Sequence, residues 1–379
     1  MRSGDGVAPG GGSKPAAAGK ARPPKAAWSN ATWAILALKV VALLYPAVLL
    51  AAVLVFRGIG EQWWVVTIAL YLPRLAFAAP MPFVLLALWG FGLRRWLWTQ
   101  LASLLLLLFP LMGLTLPRPR HLDQNAPALR ILSYNINSSE GGADAIVNQI
   151  EKYSPDIVLL QEVGRAEDLE RLLAPSYPAM SVAGQFLLAS RYPILSTNDP
   201  DKVSYEGRLR SPRFRRHVID TPLGRLVVYN VHPVSPRDDF TALRGHGLRH
   251  ELLSGRFFSG DSAPLIDANA GLRAAQVQAF ASEGQAEPDP VVIAGDTNLP
   301  GLSKVFADSL SLYQDGFQKA GWGFGYTYPN DRRPPPWMRI DRILATDQLR
   351  FVRFDVGDSR ASDHRCVVAE LQKVGWSAK

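Results

Sequence analysis

Cysteine is all but absent. The 379 residues hold one, Cys366, in an apolar run that predicts a buried core position. A single thiol cannot close an internal disulfide, so cysteine usage says nothing about compartment. A strong excess of one charge is also missing. The formal net charge of +8 is modest for this length, and the basic residues are scattered, which is weak support for a nucleic-acid tract. The densest basic run is Arg208 to Arg216. It reads as a solvated loop or edge strand, or as a phosphate-facing patch. No internal repeat is visible, and no small-residue cleavage site cleanly follows the N-terminal segment, which argues against a cleavable signal.

Long apolar runs are missing from most of the chain and crowded into one part of it. Residues 1–30 are rich in Gly, Pro, Ala, Lys and Arg without apolar periodicity, which predicts a disordered basic N-terminus. Residues 31–116 are far more hydrophobic and predict a membrane domain with three transmembrane helices, at Thr32–Phe56, Leu75–Leu93 and Trp96–Leu116. Between the first two, Gln62–Arg74 is too short to cross and predicts an interfacial segment with Trp63 and Trp64 at headgroup level. Arg2, Lys14, Lys20, Arg22 and Lys25 precede the first span, and Arg94-Arg95 separate the last two. Both flanks favour the cytoplasm, so three spans place the remainder of the chain outside it. A fourth, short span through Gln62–Ala79 would return that remainder to the cytoplasm.

A polar linker, 117–128, leads to a globular pattern over 129–379. Apolar, β-branched runs predict strands at Leu129–Asn135, Ile157–Leu160, Phe186–Ser190, Tyr192–Leu195, His217–Thr221, Leu226–Val231, Val291–Ala294, Arg339–Leu344 and Cys366–Leu371. Helices are predicted at Gly142–Tyr153, Glu167–Leu173, Gly271–Ser282 and Ser303–Leu310. Strands and helices alternate without regular βαβ units. That fits an α/β (α+β) arrangement of two stacked sheets with helices outside.

The stretch around which this region is organised is Val291-Val292-Ile293-Ala294-Gly295-Asp296-Thr297-Asn298. A buried strand breaks at Gly295 and delivers a carboxylate and a carboxamide to one side, since alternate residues of an extended chain share a face. An acid can hold a proton, and an amide can donate to an anionic oxygen. Other strand ends carry matching groups: Asn135 and Asn137, Gln161-Glu162, Asn230 and His232, Asp341, and Ser362-Asp363-His364. Each alone is an ordinary polar strand end. The ordered set, each at the end of an apolar run, is the informative feature.

This order resembles the endonuclease/exonuclease/phosphatase (DNase I-like) superfamily over about Leu129 to Val374. Leu188-Ala189-Ser190-Arg191-Tyr192-Pro193-Ile194, Arg273 to Gln276 and Thr327-Tyr328-Pro329 are similar to smaller signatures of the same group. The N-terminal spans lie outside the resemblance to the soluble enzymes and are similar to membrane-anchored bacterial members. The resemblance implies a four-layer sandwich, two packed β-sheets flanked by helices. It implies phosphoester hydrolysis with Mg²⁺, or Mn²⁺ in its place, and Glu162, Asn135 and Asp363 around the metal. Hard oxygen donors suit such a cation. By the same resemblance Asp296 activates water, Asn298 holds it or a phosphoryl oxygen, and His364 donates to a non-bridging oxygen with Asp341 behind it. His232 makes a second phosphate contact. Abasic-site endonucleases of the family characteristically carry tyrosine there, so the histidine points away from that role. Asn137 either supports a neighbouring site residue or caps its strand.

The expectation is therefore a membrane-anchored phosphoester hydrolase. Its substrate is a nucleic acid, a phospholipid or a small phosphoester. The alternative from another class is a catalytically silent membrane protein that binds a phosphorylated partner. No protein partner is legible.

Overall fold

The computed structural model describes residues 30–117, 125–236, 254, 262–330, 335–358 and 360–375. The basic N-terminus, most of the linker and much of the segment after Pro233 lie outside the described residues.

The strands in chain order are β1 (Ala128–Asn135), β2 (Ile157–Gln161), β3 (Ala179–Ala183), β4 (Phe186–Ser190), β5 (Ile194–Asn198), β6 (Val203–Tyr205), β7 (Arg208–Arg210), β8 (Phe214–Thr221), β9 (Gly224–Val231), β10 (Val291–Asp296), β11 (Gln314–Asp315), β12 (Asp341–Ala345), β13 (Leu349–Val356) and β14 (Val367–Lys373). They form two six-stranded sheets, ordered β13-β14-β1-β2-β4-β3 and β11-β12-β10-β9-β8-β5, and a small β6-β7 hairpin. Each sheet is mixed, with one parallel pair at its centre. In the first, β1 runs parallel to β2 with Asn135 opposite Gln161. In the second, β9 runs parallel to β10 with Val231 opposite Gly295. A parallel pair ends on one side, so each sheet presents two C-terminal ends at the same edge.

Alternation then sorts the side chains. Leu129, Ile131, Ile157 and Leu159 of the first sheet pack against Leu226, Val228, Val292, Ala294 and Ile343 of the second in one core. The intervening residues Leu132, Tyr134, Val158 and Leu160 face outward, onto Ile146, Ile150 and Leu169 of the Ala143–Tyr153 and Ala166–Leu173 helices. On the far side Val227, Tyr229, Val291 and Ile293 pack on Val277, Phe280 and Leu310 of the Ser262–Gln285 and Lys304–Leu310 helices. The outcome is four layers, as expected. Gln161 and Asn230 join the sheets at their centre: Gln161 Nε2 donates to Asn230 Oδ1 at 2.7 Å, and Asn230 Nδ2 to the Leu160 carbonyl at 3.1 Å.

Among the described residues, the three expected transmembrane helices are not there. One helix, Asn30–Gly58, is long and apolar enough to cross a bilayer, and 22% of its most apolar stretch is buried inside the protein. Beyond it the chain breaks where its prolines fall. Trp64–Tyr71 has 8 residues and ends before Pro73; Pro80–Gly90 has 11, and its start is set by Pro80. Together with Arg74–Ala78 these are long and apolar enough for one span, but they are bent by 88°. The third expected span is a ten-residue helix, Leu97–Leu106, continued by a π-helical turn at Leu107–Leu111 that contains Pro110. An 11-residue helix rises about 16 Å, roughly half of a hydrocarbon core.

Part of this region docks on the sandwich, while Val84 and Leu88 of the Pro80–Gly90 helix pack on Ala42 of the long helix. Tyr45, Leu49, Val53 and Phe56 share a core with Leu70, Leu107 and Leu111, and with Leu302, Met338 and Ile340 of the globular part. Glu61 Oε2 accepts from the Lys304 and Val305 amides at 3.0 and 3.3 Å, at the start of the Lys304–Leu310 helix. Thr115 bridges to Gly323 as an isolated β-pair.

Candidate active site

The parity that builds the inter-sheet core also builds the site. Asn135 follows Leu129 and Ile131 in register, Asp296 follows Val292 and Ala294, and His232 follows Leu226 and Val228. All three therefore project into the gap between the sheets, beyond its apolar filling. Asp341 stands opposite Asp296 in the β10–β12 ladder. Gly295 allows the approach: a Cβ there would lie 1.9 Å from the Val231 carbonyl oxygen. Two non-glycine residues of the site, Glu162 and Asn298, have left-handed backbones, with φ of 53° and 51°. Such conformations cost energy and concentrate where a side chain must be aimed.

Asn135 links the two sheets' carboxylates. Its Nδ2 donates to Glu162 Oε1 at 3.0 Å and to Asp296 Oδ2 at 3.1 Å, while its Oδ1 accepts from the Asn137 amide at 3.1 Å. Asp296 Oδ1 accepts from the Asn298 amide at 2.9 Å, and Asn298 Nδ2 donates to the Pro233 carbonyl at 3.0 Å. His364 Nδ1 meets Asp341 Oδ2 at 2.9 Å, and its Nε2 lies 3.7 Å from Asp296 Oδ2. His232 Nε2 lies 3.4 Å from Glu162 Oε1 and 3.7 Å from Asp296 Oδ2, without a hydrogen-bond partner among the described residues. Ser362 Oγ donates to the Asn135 carbonyl at 2.7 Å and accepts from the His364 amide, which sets buried Asp363 beside β1. The structure thus brings together all eight expected site residues. Asn137 is a turn residue that donates to Asn135 and to Glu140 Oε2.

Electrostatics separates the roles. Burial raises Asp296 above the ordinary carboxylate range against the pull of His364, and the nearby charges of Asp341 and Glu162 add to the rise. Burial pulls His364 down, but Asp341 and Asp296 outweigh it and hold the ring protonated well above the usual histidine value. His232 is pushed down to about 3 by burial, by Arg213 and by His364, so its ring is neutral. Ligand atoms of Asp296, Asp341 and His364 lie within 4.8 Å of one another and could bind a metal ion. With Nδ1 taken up by Asp341 Oδ2, His364 could ligate only through Nε2 and only with that nitrogen unprotonated.

Several residues support the site, and of these the sequence singles out only Tyr328, as part of Thr327-Tyr328-Pro329. Gln185 Oε1 meets His232 Nδ1 at 2.6 Å. The Tyr328 ring lies 4.6 Å from the His364 ring, centroid to centroid. Asn330 Nδ2 holds the carbonyls of Ser362 and His364. Tyr71, from the N-terminal helices, donates to the Asn298 carbonyl at 2.7 Å, and Trp337 Nε1 donates to the Tyr71 carbonyl. Tyr71→Phe should leave that buried carbonyl of Asn298 unpaired. The expected cost is about 1–3 kcal/mol, read by denaturation of the full chain, with a several-fold fall in kcat. Unchanged stability would make the contact incidental.

A sequence profile of the Endonuclease/Exonuclease/phosphatase family matches residues 132–364, well over half of the chain. The chain belongs to that family. The match spans every expected site residue. No curated protein sequence matches the chain. Among solved structures it is similar to an endonuclease/exonuclease/phosphatase from Beutenbergia cavernae DSM 12333, at 19% identity, 65% of this chain, 72% of that one and a TM-score of 0.45. It is similar to a namesake from Bacteroides vulgatus, at 16%, 65%, 99% and 0.48. It is also similar to a beta toxin from Staphylococcus aureus, at 16%, 64%, 99% and 0.45. Membership in the family supports phosphoester hydrolysis and dependence on a divalent cation, which is general among its members.

Proposed function

We propose that this chain is a membrane-anchored phosphoester hydrolase that uses Mg²⁺, or Mn²⁺ in its place, for in-line attack of water on phosphorus. The observation that carries the reading is the meeting of Glu162, Asn135, His232, Asp296 and the His364–Asp341 pair at one mouth, from strand ends of both sheets.

The donor set suits a hard cation. Glu162 is the carboxylate with solvent access, its side chain 30% exposed against 2% for Asp296, and buried Asp363 lies between Ser362, which holds the Asn135 carbonyl, and His364 in the chain. His232 Nε2, unpaired among the described residues, lies 3.4 Å from Glu162 Oε1. With the ring neutral and its proton on Nδ1 toward Gln185 Oε1, it offers a lone pair there and could donate to a phosphoryl oxygen only when protonated. We assign Glu162 and Asp363 to holding the ion. Asn135, with its oxygen on the Asn137 amide and its NH₂ on two carboxylates, is assigned to orienting Glu162. When bound, the cation neutralises phosphate charge and lowers the pKa of water. Asp296, raised by burial, accepts the proton of the attacking water. Asn298 fixes Asp296 through its backbone amide. His364 donates from Nε2 to a phosphoryl oxygen as negative charge builds, and Asp341 holds the proton on that ring.

The membrane part rests on the Asn30–Gly58 helix, whose outward face carries exposed Trp33, Leu44, Val48 and Leu54. Its inner face is part of the packed core, which favours a retained anchor over a removed signal. One span with the basic residues 1–30 in the cytoplasm leaves the catalytic part outside. The basic run gives less support to a polyanion than its composition suggested. Arg215 pairs with Asp199 and Arg216 with Glu287, leaving Arg208 and Arg210 exposed on the β6-β7 hairpin.

The test is a panel of DNA, RNA, phospholipids and small phosphoesters, assayed with the full chain in detergent, with and without Mg²⁺. Turnover of at least one that vanishes on chelation is expected. No cation-dependent turnover across the panel would favour a silent binder. The same preparation should stay with membranes through an alkaline wash; release would remove the anchor.

A further inference from the structure

A second site lies away from the catalytic mouth, in a cavity of about 400 Å³ between the N-terminal helices and the sandwich. That size falls in the range of small-molecule pockets. Its walls are of two kinds. Phe109, Met112, Leu114 and Trp337 are apolar or aromatic, and Arg57, Arg74 and Arg339 bring guanidinium groups.

The three arginines are not equivalent. Arg339 is paired within the fold, donating to both oxygens of Asp315 at 2.8 Å, a carboxylate that it shares with Arg342. Arg74 is 8% exposed. It donates from Nη1 to the Leu111 carbonyl at 2.7 Å and lies over the face of Phe56, 5.9 Å from its ring centre. Neither carries a formal charge. Arg57, exposed in the last turn of the Asn30–Gly58 helix, has no carboxylate within ion-pair distance among the described residues. Two guanidinium groups therefore line one cavity with no negative partner there. Burying the Arg74 cation without a counter-charge is costly, and an anion entering from outside would offset that cost, with exposed Arg57 beside it as a second donor. Guanidinium forks match phosphate oxygens in pairs.

We propose that this cavity binds a phosphate-bearing amphiphile, with its phosphate between Arg57 and Arg74 and its apolar chain along the Phe109–Leu114 wall. The position fits the chemistry. Arg57 closes the one helix among the described residues that is long enough to cross a bilayer, so its guanidinium lies where such a helix leaves the hydrocarbon. The cavity floor includes Pro300 and Gly301, which follow Asn298 in the chain, and Trp337 to Arg339, which precede Asp341. The site is separate from the catalytic groups, and its readout is binding. Failure of the hydrolase reading leaves it standing.

The experiment uses the full chain in a neutral detergent with chelator present, so that cation-dependent binding at the catalytic mouth is suppressed. Thermal unfolding is followed against dioctanoyl phosphatidic acid, dioctanoylglycerol and inorganic phosphate. A saturable upward shift with the first alone is expected. Arg57→Gln, at an exposed position, should weaken that response about tenfold, the loss expected on removing one charge-assisted contact. Arg74→Gln should weaken it further; if that variant fails to fold, Arg57→Gln decides. Equal shifts with dioctanoylglycerol would show apolar filling only, and a full shift with inorganic phosphate would show a free-anion site. Either result, or an unchanged response in Arg57→Gln, overturns the proposal.

Discussion

Glu162→Gln should lower cation-dependent hydrolysis by roughly a thousandfold, the scale expected when charge stabilisation at the phosphoryl group is lost. The substitution keeps the side-chain volume and removes the charge. The fold should survive, because Glu162 is part-exposed and the donor it meets, Asn135 Nδ2, finds an acceptor equally well in an amide oxygen. The variant should also need far more Mg²⁺ for its residual rate, so the measurement is kcat against cation concentration beside an unfolding curve. The outcome separates two places for the ion. If Asp296, Asp341 and His364 held it, Glu162→Gln would keep its cation affinity and Asp341→Asn would lose it. Full activity in Glu162→Gln would end the assignment of that residue.

Much of the site was legible because it depends on strand parity and strand ends, both of which a sequence displays. Val292 and Ala294 lead to Asp296 on the same face, and Leu226 and Val228 lead to His232; the inter-sheet core they build is the one observed. What was not legible depends on contacts distant in sequence. Tyr71 reaches Asn298 across 227 positions, and nothing near Tyr71 marks it. β13 was missed because Arg350 and Arg353 interrupt its apolar pattern, with a shift in register between Phe351 and Arg353. β3 is an edge strand of small and part-buried residues, which leaves no alternation to read. The three-span expectation failed for a physical reason too. Hydropathy measures the average over a window and is blind to a break within it, and Pro73, Pro80 and Pro110 fall where the continuous helices would have been. The apolar residues it counted are partly used on the sandwich, with Leu70, Leu107 and Leu111 buried against Met338 and Ile340. One consequence is that the 129–379 piece cut from its helices would expose that surface, so the full chain is the proper material for every measurement.

The His364–Asp341 pair makes a prediction about pH that a purely structural pair would not. The useful form of Asp296 is ionised, so kcat should rise as pH climbs through its raised value, above the ordinary carboxylate range. The useful form of His364 is protonated, so kcat should hold past the ordinary histidine value and fall only as pH passes its raised one. Burial alone would depress His364; Asp341 and Asp296 reverse that. Asp341→Asn keeps a hydrogen-bond acceptor 2.9 Å from Nδ1 but removes the charge. The alkaline limb should then move down toward neutrality, and kcat at its best pH should fall roughly a hundredfold, as on loss of an acid–base or charge-stabilising group. His364→Ala should lose about as much and abolish the alkaline limb. Asp296→Asn should lose a similar factor and abolish the acid limb instead. The profiles are best taken at saturating cation, so that weakened metal binding does not imitate a titration. An alkaline limb that stays in place in Asp341→Asn would show that Asp341 only packs against the ring. A change confined to KM in all three variants would reduce these residues to substrate binding.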